Sequence, residues 1–234
     1  MQIDHIVTQL APSETDRIKA EMDARGLPFE PDWGKRAKGF HVSNIWIGEQ
    51  YFELVTITAP DNLWQPEWVE RFVRGERGTC CLFIRLEGDL EGAQRALSAA
   101  GLNPGPIQRT SFRFFFNLLQ KRMPWRFFLC PKLPGTDIEL GFIQYDDGAL
   151  ARFRRYMVPN AEEQGLNGLS HAVLASHEPD AANALLERAG AALKGQLPVA
   201  AEPATGGHAL RLSAHADAAR AGLAFTVFDA QVQA

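Results

Sequence analysis

Residues 3–10 read IDHIVTQL and residues 13–27 read SETDRIKAEMDARGL, and this pair of segments decides the fold. The first is a short run of strand-forming residues with His5 in its middle. The second begins at a serine that can cap a helix, places Ile18 and Met22 about one helical turn apart, and ends at a glycine. We therefore predict a strand followed directly by an amphipathic helix.

The same strand–helix unit recurs twice further along the chain. The later copies are TCCLFIRL (79–86) with DLEGAQRALSAAGL (89–102), and LSHAVLAS (169–176) with EPDAANALLERAGA (178–191). Counting back from the glycine that ends each helix gives His5 and His171 the same place in their strands, and the middle strand has Cys80 to Leu82 there. This regular spacing indicates an internal repeat.

More strand-like segments follow each helix. They are 39–48 and 50–57, joined as a hairpin near Gly48; 106–119, 126–130 and 136–145; and 207–215 and 222–229. The sequence therefore predicts an α+β fold of repeated βαβββ-type modules, with units at 1–60, 77–146 and 166–234. Two connectors, 59–78 with a short helix at 66–74 and 146–168 with a helix at 148–156, are either lids over a pocket or packed linkers.

Composition limits the possible partners. The chain has 234 residues, a formal net charge of −4 and a pI of about 5.9, which argues against nucleic acid as the main partner. No apolar run approaches the roughly 18 residues of a membrane span, and the first residues lack the pattern of a signal peptide. Cys80, Cys81 and Cys130 form no CxxC motif. We expect a cytoplasmic protein with no membrane or nucleic-acid partner.

The residues best suited to chemistry lie in the first unit. Alternation along 3–10 places His5 on one face of its strand, with Asp4 on the other, and alternation along 50–57 aligns Tyr51 with Glu53. A carboxylate in a half-buried strand needs a cation, hydrogen-bond donors or access to water. A histidine and a carboxylate facing one cavity are ligand types for Zn²⁺, Fe²⁺, Mn²⁺, Ni²⁺ or Co²⁺. The alternative is that His5 is a core histidine.

The motifs IDHIV at the start, GEQYFELV at 48–55 and the later segment GLSHAVLASHEPDAANALLERAG resemble the glyoxalase-like domain family of the vicinal-oxygen-chelate superfamily. The resemblance extends in order over most of residues 1–190. It implies βαβββ modules whose curved mixed sheets surround a cleft, with a divalent metal ion held by residues that map to His5 and Glu53.

The match to the family pattern is incomplete in the later units. The middle unit has cysteines where a histidine is expected but offers Glu139, and the third has His171 but Phe225 where a glutamate is expected. The implied site is therefore His5, Glu53 and His171 as metal ligands, with Glu139 moving a proton. For His171 the alternative is a structural role, and for Glu139 a solvent-exposed hairpin end.

Two classes of function follow. The first is a metal-dependent lyase, isomerase or dioxygenase acting on a small molecule with neighbouring oxygens, which Tyr51 and Arg109 would help to bind. The second is metal-free binding or sequestration of a small molecule, as in resistance proteins of the superfamily. For Arg109 the alternative is an ordinary exposed arginine. Because an odd number of units leaves one sheet without an internal partner, we also expect a homodimer.

Overall fold

The computed structural model of the chain describes residues 1–32, 35–37, 39–60, 66–114 and 119–234. The first module contains β1 (Gln2–Gln9), α1 (Pro12–Ala24), β2 (Lys35–Ala37), β3 (Phe40–Ile47) and β4 (Gln50–Ile57). The α1 helix buries Ile18 and Met22 on one face, as the sequence predicts, but it starts at Pro12, one residue before the serine predicted to cap it. The hairpin between β3 and β4 turns at Gly48, also as predicted.

The middle module follows a short connecting helix. Its elements are α2 (Pro66–Val73), β5 (Gly78–Arg85), α3 (Leu90–Ala99), β6 (Ser111–Phe114), β7 (Leu119–Arg122), β8 (Trp125–Lys132) and β9 (Glu139–Tyr145). The helix predicted at 66–74 is therefore confirmed. The strand predicted at 106–119 is replaced by the shorter β6, and its residues 115–118 lie outside the described residues.

The last part of the chain starts with a helical connector. The elements are α4 (Ala149–Phe153), 3₁₀ turns at Arg154–Tyr156 and Ala161–Gln164, β10 (Leu166–Ser176), α5 (Pro179–Ala192), β11 (Val199–Pro203), β12 (Leu210–Ala216), β13 (Ala224–Val227) and β14 (Ala230–Gln233). No helix in the described ranges combines the length and the apolar character that crossing a bilayer requires.

The first two modules share one sheet with the strand order β2-β3-β4-β1-β5-β9-β8. The two first strands, β1 and β5, pair antiparallel at its centre, and each pairs in parallel with the closing strand of its own module, β4 or β9. The two modules are thus related by a local twofold axis through the centre of the sheet. The predicted α+β fold of repeated modules is confirmed.

The third unit repeats this central pattern in shortened form. Its sheet has the order β11-β10-β12-β14-β13, in which β10 and β12 pair antiparallel and β10 pairs in parallel with β11. The strand that carries His171 therefore has both neighbours inside the chain. The reason for expecting a dimer, a sheet without an internal partner, is wrong, and the homodimer itself stays a prediction.

The large sheet has a different apolar cluster on each face. One cluster combines buried residues of α1, α3 and α5 with the inner face of the third unit's sheet, including Met22, Leu97, Leu186 and Leu212. The other lies under α2, where Trp68 and Val69 pack on strand residues such as Val55, Phe83 and Phe127. The candidate site lies on this second face, beside the area that α2 covers.

Gln50 joins the first module to the third unit. Its amide nitrogen donates to the carbonyl oxygens of Ile3 (2.7 Å) and Leu169 (2.8 Å), and its amide oxygen accepts from the backbone N–H of Leu169. Gly168 has φ +145° there, and a Cβ on it would lie 2.5 Å from the Gln50 amide oxygen. One buried side chain thus bonds to β1 and to β10, the latter at a residue 119 positions further along the chain.

We expect Gln50→Leu to lower the free energy of unfolding by about 2 kcal/mol, because three hydrogen bonds are lost and their backbone partners are left buried. Urea unfolding of the wild type and the variant measures the change. The control is Gln233→Leu, at an exposed position of β14, which should change stability little. An equal effect of both substitutions would contradict the assigned role.

Candidate active site

A bulge in β1 places two neighbouring polar residues on the same face of the sheet. Ile3 pairs with Ile84 and His5 with Phe83, so Asp4 is an extra residue that has no partner of its own on β5. The strict alternation predicted for 3–10 is therefore wrong at this point. The carboxylate of Asp4 lies beside His5 instead of on the opposite face.

The His5 ring is held in one orientation by three contacts. Its Nδ1 lies 2.7 Å from the Asp4 Oδ1. The ring stacks between Tyr51 (centroids 4.7 Å apart) and Phe83 (4.2 Å). With Nδ1–H donating to Asp4, the other nitrogen Nε2 is directed to the Glu53 Oε2, 3.8 Å away. His5 and Glu53, predicted to face one cavity, are therefore neighbours.

Asp4 is completely buried and is held by three donors. Besides His5, the Arg85 Nε donates to its Oδ2 (2.8 Å) and the Tyr145 hydroxyl to its Oδ1 (3.0 Å). Burial alone would raise the pKa of Asp4, but the hydrogen bond and charge of His5, together with the charge of Arg85, outweigh it and lower that pKa below its usual value. Asp4 is therefore an anion that fixes His5.

The Glu53 carboxylate faces a cavity of about 270 Å³. Most of the lining residues are aromatic, and Glu53 is the charged one among those that the structure describes. The full set is Phe40, Val42, Asn44, Trp46, Tyr51, Glu53, Met123, Trp125, Tyr145, Phe153, Tyr156 and Met157. Asn44 lies directly across from Glu53 on β3, and its buried Oδ1 accepts no hydrogen bond from the residues that the structure describes.

The connector after β9 forms one wall of this cavity. Phe153, Tyr156 and Met157 come from α4 and the turn that follows it, and the Phe153 ring lies 5.6 Å from that of Trp125. Arg154 in the same segment lies 3.5 Å from Glu49, which also binds Arg85 (3.0 Å). The sequence left open whether this connector is a packed linker or a lid. It has features of both, since it packs on the sheet and covers the cavity.

The local twofold axis shows what the middle module contributes. His5 pairs with Phe83 and Val7 pairs with Cys81, so a half turn about the centre of these pairs exchanges His5 with Cys81 and Val7 with Phe83. The cysteine thus occupies the place of the histidine, as the spacing in the sequence predicts. Burial raises the pKa of the Cys81 thiol well above its usual value.

The same axis places Gly141 where the first module has Glu53. Val7 pairs with Glu53 on β4, and Phe83 pairs with Gly141 on β9. A Cβ on Gly141 would lie 2.5 Å from the Phe83 ring. Phe83 therefore fills the volume in which a second carboxylate would have to lie.

The residues do not fit the divalent metal ion that the family resemblance implies. A protein zinc site takes three or four protein ligands, and the first module supplies His5 and Glu53. Among the residues that the structure describes, no three His, Cys, Asp or Glu side chains come together as a metal site. The middle module offers the buried thiol of Cys81 and the glycine at 141 instead.

His171 does not join this group. It follows a bulge at Ser170 in β10, as His5 follows the one at Asp4, so the two histidines do have equivalent places in their strands. In the first module, Glu53 pairs with Val7, two residues after His5. In the third unit, the residue two after His171 is Val173, and its partner on β11 is Ala200. The third ligand predicted from the sequence is therefore not brought to His5 and Glu53.

Glu139 and Arg109 also lie outside the cavity lining. Glu139 is below α2, where burial raises its pKa and Trp68 hydrogen-bonds to it. Arg109 binds both carboxylate oxygens of Asp146 (2.8 and 2.9 Å), so its guanidinium is already paired. Tyr51, the other residue predicted to bind substrate, does line the cavity.

Several cavity residues escaped the sequence analysis. Asp4 was assigned to the wrong face, while Trp46, Trp125 and Tyr145 carry no motif that separates a cavity wall from a core. A second, more open cavity of about 600 Å³ lies near Arg71, His177 and Asp229. The Asp229 carboxylate there is held by the backbone N–H and hydroxyl of Thr79. We assign the site to the smaller cavity, because Glu53 lines it and His5 lies behind Glu53.

Comparison with known proteins shows the fold. No family model and no curated protein matches the chain. A solved structure of a hypothetical protein from Staphylococcus aureus is similar over 99% of this chain and 97% of its own, with 12% identity and a TM-score of 0.66. Methylmalonyl-CoA epimerase from Mycobacterium tuberculosis is similar over 64% of this chain and 91% of its own, with 14% identity and a TM-score of 0.43.

Proposed function

We propose that the chain is a small-molecule-binding protein of the vicinal-oxygen-chelate type whose cavity works without a metal ion. The observation that supports this most is the state of the twofold-related half-site. Cys81 and Gly141 stand where a metal site built from two modules would have a histidine and a glutamate, and Phe83 fills the space. The cavity that remains has the aromatic walls and few polar groups typical of a ligand site.

His5 has a positioning role in this proposal. Its ring is fixed by Asp4 and by stacking on Tyr51 and Phe83, so it lies behind Glu53 rather than in the cavity lining. It holds the Glu53 carboxylate toward the bound molecule. Burying this carboxylate against aromatic rings would be costly without such support.

The test combines metal analysis with ligand binding. Protein purified without chelator should contain no stoichiometric transition metal, and indole should quench or shift the fluorescence of Trp46 and Trp125 equally before and after EDTA treatment. Trp125→Leu should weaken indole binding about tenfold, because it removes one aromatic wall. His177→Ala, in the more open cavity, serves as the matched control and should bind like the wild type.

Stoichiometric metal that is lost in both His5→Ala and Glu53→Gln would overturn this proposal. That result would favour the metal-dependent lyase, isomerase or dioxygenase instead. Absence of indole binding to the folded wild type would also count against the proposal. In that case the aromatic walls would be only part of the core.

A second candidate function is metal-free proton transfer on the bound molecule, with Glu53 as the base. The row of Asp4, His5 and Glu53 favours it, because an imidazole held by a buried carboxylate stabilises a proton next to the base. Acetophenone bound in D₂O should then gain deuterium next to its carbonyl group faster than in buffer. Glu53→Gln should abolish this gain, and a rate equal to that of buffer would exclude the reaction.

A further inference from the structure

We propose that the ligand of this cavity is an organic cation, an ammonium group attached to a small aromatic or branched apolar body. This inference rests on the proposed function, since it names the class of molecule that the cavity binds. It is carried by the juxtaposition of seven aromatic rings, one carboxylate and one unpaired amide oxygen in a single small volume.

The aromatic rings form a box rather than a stack. Trp46 lies 4.4 Å from Tyr51 with its plane tilted by 41°. On the other side, Trp125 is tilted by about 60° to both Tyr145 and Phe153, at 6.0 and 5.6 Å. Because these rings are tilted to one another, they line the cavity from several directions, and the face of an aromatic ring carries partial negative charge. Such boxes bind quaternary ammonium groups through cation–π attraction.

The charges that surround the cavity favour the same sign of ligand. Glu53 carries the negative charge, and none of the described lining residues is a lysine, arginine or histidine. Two guanidinium groups of described residues lie against lining rings. That of Arg85, 5.6 Å from the Tyr145 ring, is bound by Asp4 and Glu49, and that of Arg155 lies 4.7 Å from the Tyr156 ring. An anionic ligand would therefore meet repulsion from Glu53, whereas a cationic ligand would be attracted to it in a low-dielectric space.

The lining also offers an acceptor in the side chain of Asn44. The Asn44 Oδ1 is buried opposite Glu53 and receives no hydrogen bond within the described residues. An unsatisfied buried acceptor costs free energy, which a donor or a positive group on the ligand would offset. The Glu53 carboxylate and the Asn44 Oδ1 thus both suit an ammonium ion.

The experiment compares two molecules of equal shape and different charge. Benzyltrimethylammonium and its neutral carbon analogue neopentylbenzene are titrated into the full-length wild type, and binding is followed by calorimetry and tryptophan fluorescence. We expect the cation to bind at least about tenfold more tightly than the analogue. Glu53→Gln should remove most of this preference while keeping the shape of the side chain.

Glu139→Gln is the matched control, because this carboxylate lies on the same sheet but outside the cavity lining. It should keep the preference for the cation. Should Glu53→Gln fail to fold, Trp125→Leu replaces it and should reduce binding of the cation more than that of the analogue. A preference that survives in Glu53→Gln would overturn the inference.

The outcomes also separate this inference from the proposed function. Equal affinity of the wild type for both molecules would overturn the choice of a cation and leave the small-molecule cavity in place. Binding of neither molecule to folded wild type would overturn the proposed function, and the inference with it. Tighter binding of neopentylbenzene would likewise contradict the role given to Glu53.

Discussion

Replacing Asp4 by alanine is expected to lower the free energy of unfolding by about 3–5 kcal/mol, the largest effect that we predict for this chain. The change removes the acceptor for His5, Arg85 and Tyr145 at once. Because the guanidinium of Arg85 is 5% exposed, its charge would be left buried, with the Glu49 side chain as its one charged partner among the described residues. Loss of one member of a buried ion pair is far more costly than loss of an exposed pair.

Urea unfolding at neutral pH measures this loss directly. The control is Asp137→Ala, which removes the exposed ion pair between Asp137 and Lys132 (2.9 Å) and should change stability little. Asp4→Asn separates charge from shape, since the amide keeps the size of the side chain. A loss no greater in Asp4→Ala than in Asp137→Ala would show that the buried network does not hold this end of the sheet.

The pH dependence of the same variants gives a second measurement. Since the pKa of Asp4 is lower in the folded chain than in the unfolded chain, its ionisation stabilises the fold above about pH 4. This contribution is lost as pH falls through the lowered folded pKa. The difference in stability between the wild type and Asp4→Asn should therefore be constant from pH 7 to pH 5 and shrink below pH 4. A constant difference down to pH 3 would contradict the assigned ionisation.

Gly141→Ala is expected to cost about 3 kcal/mol, because the added methyl group would overlap the Phe83 ring at 2.5 Å. The backbone itself is no obstacle, since Gly141 is not among the residues with positive φ. The ring has little room to move, since it stacks on His5 and packs edge-on against Phe127. Thermal or urea unfolding measures the change.

The double variant Gly141→Ala with Phe83→Leu tests the cause. If the clash with the ring is the origin of the loss, the two changes together should cost at least about 1 kcal/mol less than their sum. Gly88→Ala is the matched control, because a Cβ there meets nothing within 4 Å. Simple additivity of the two changes would mean that Gly141 is required for another reason.

The sequence is sufficient to predict the helices and the repeat, because their signals are local. Asp89 caps α3, Gly26 and Gly101 follow the ends of α1 and α3, and the spacing from these glycines correctly equates His5 with the middle of the second unit's strand. The third helix instead continues past Gly190, its predicted end, to Ala192. The proximity of His5 to Glu53 also follows, since parallel pairing of the first and last strands of a module brings them together.

The bulge at Asp4 is not predictable from its neighbours in sequence. It exists through pairing with β5, whose residues are about eighty positions away, and a bulge of one residue reverses the face of every side chain before it. The exclusion of a second carboxylate by Phe83 has the same origin, since it needs the pairing of Phe83 with Gly141. The pairing of Arg109 with Asp146 likewise depends on where two distant loops meet.

The charged side chains of Arg154, Glu49, Arg85 and Asp4 form a row, and the ion pairs along this row differ in their sensitivity to ionic strength. Its outer pair, Arg154 with Glu49, has side chains that are 54% and 39% exposed, and dissolved ions screen such pairs over about 8 Å at physiological concentration. Its inner pair, Arg85 with Asp4, is buried and escapes that screening. Concentrated electrolyte would therefore loosen the segment that carries Phe153 and Tyr156 while the imidazole of His5 keeps its place.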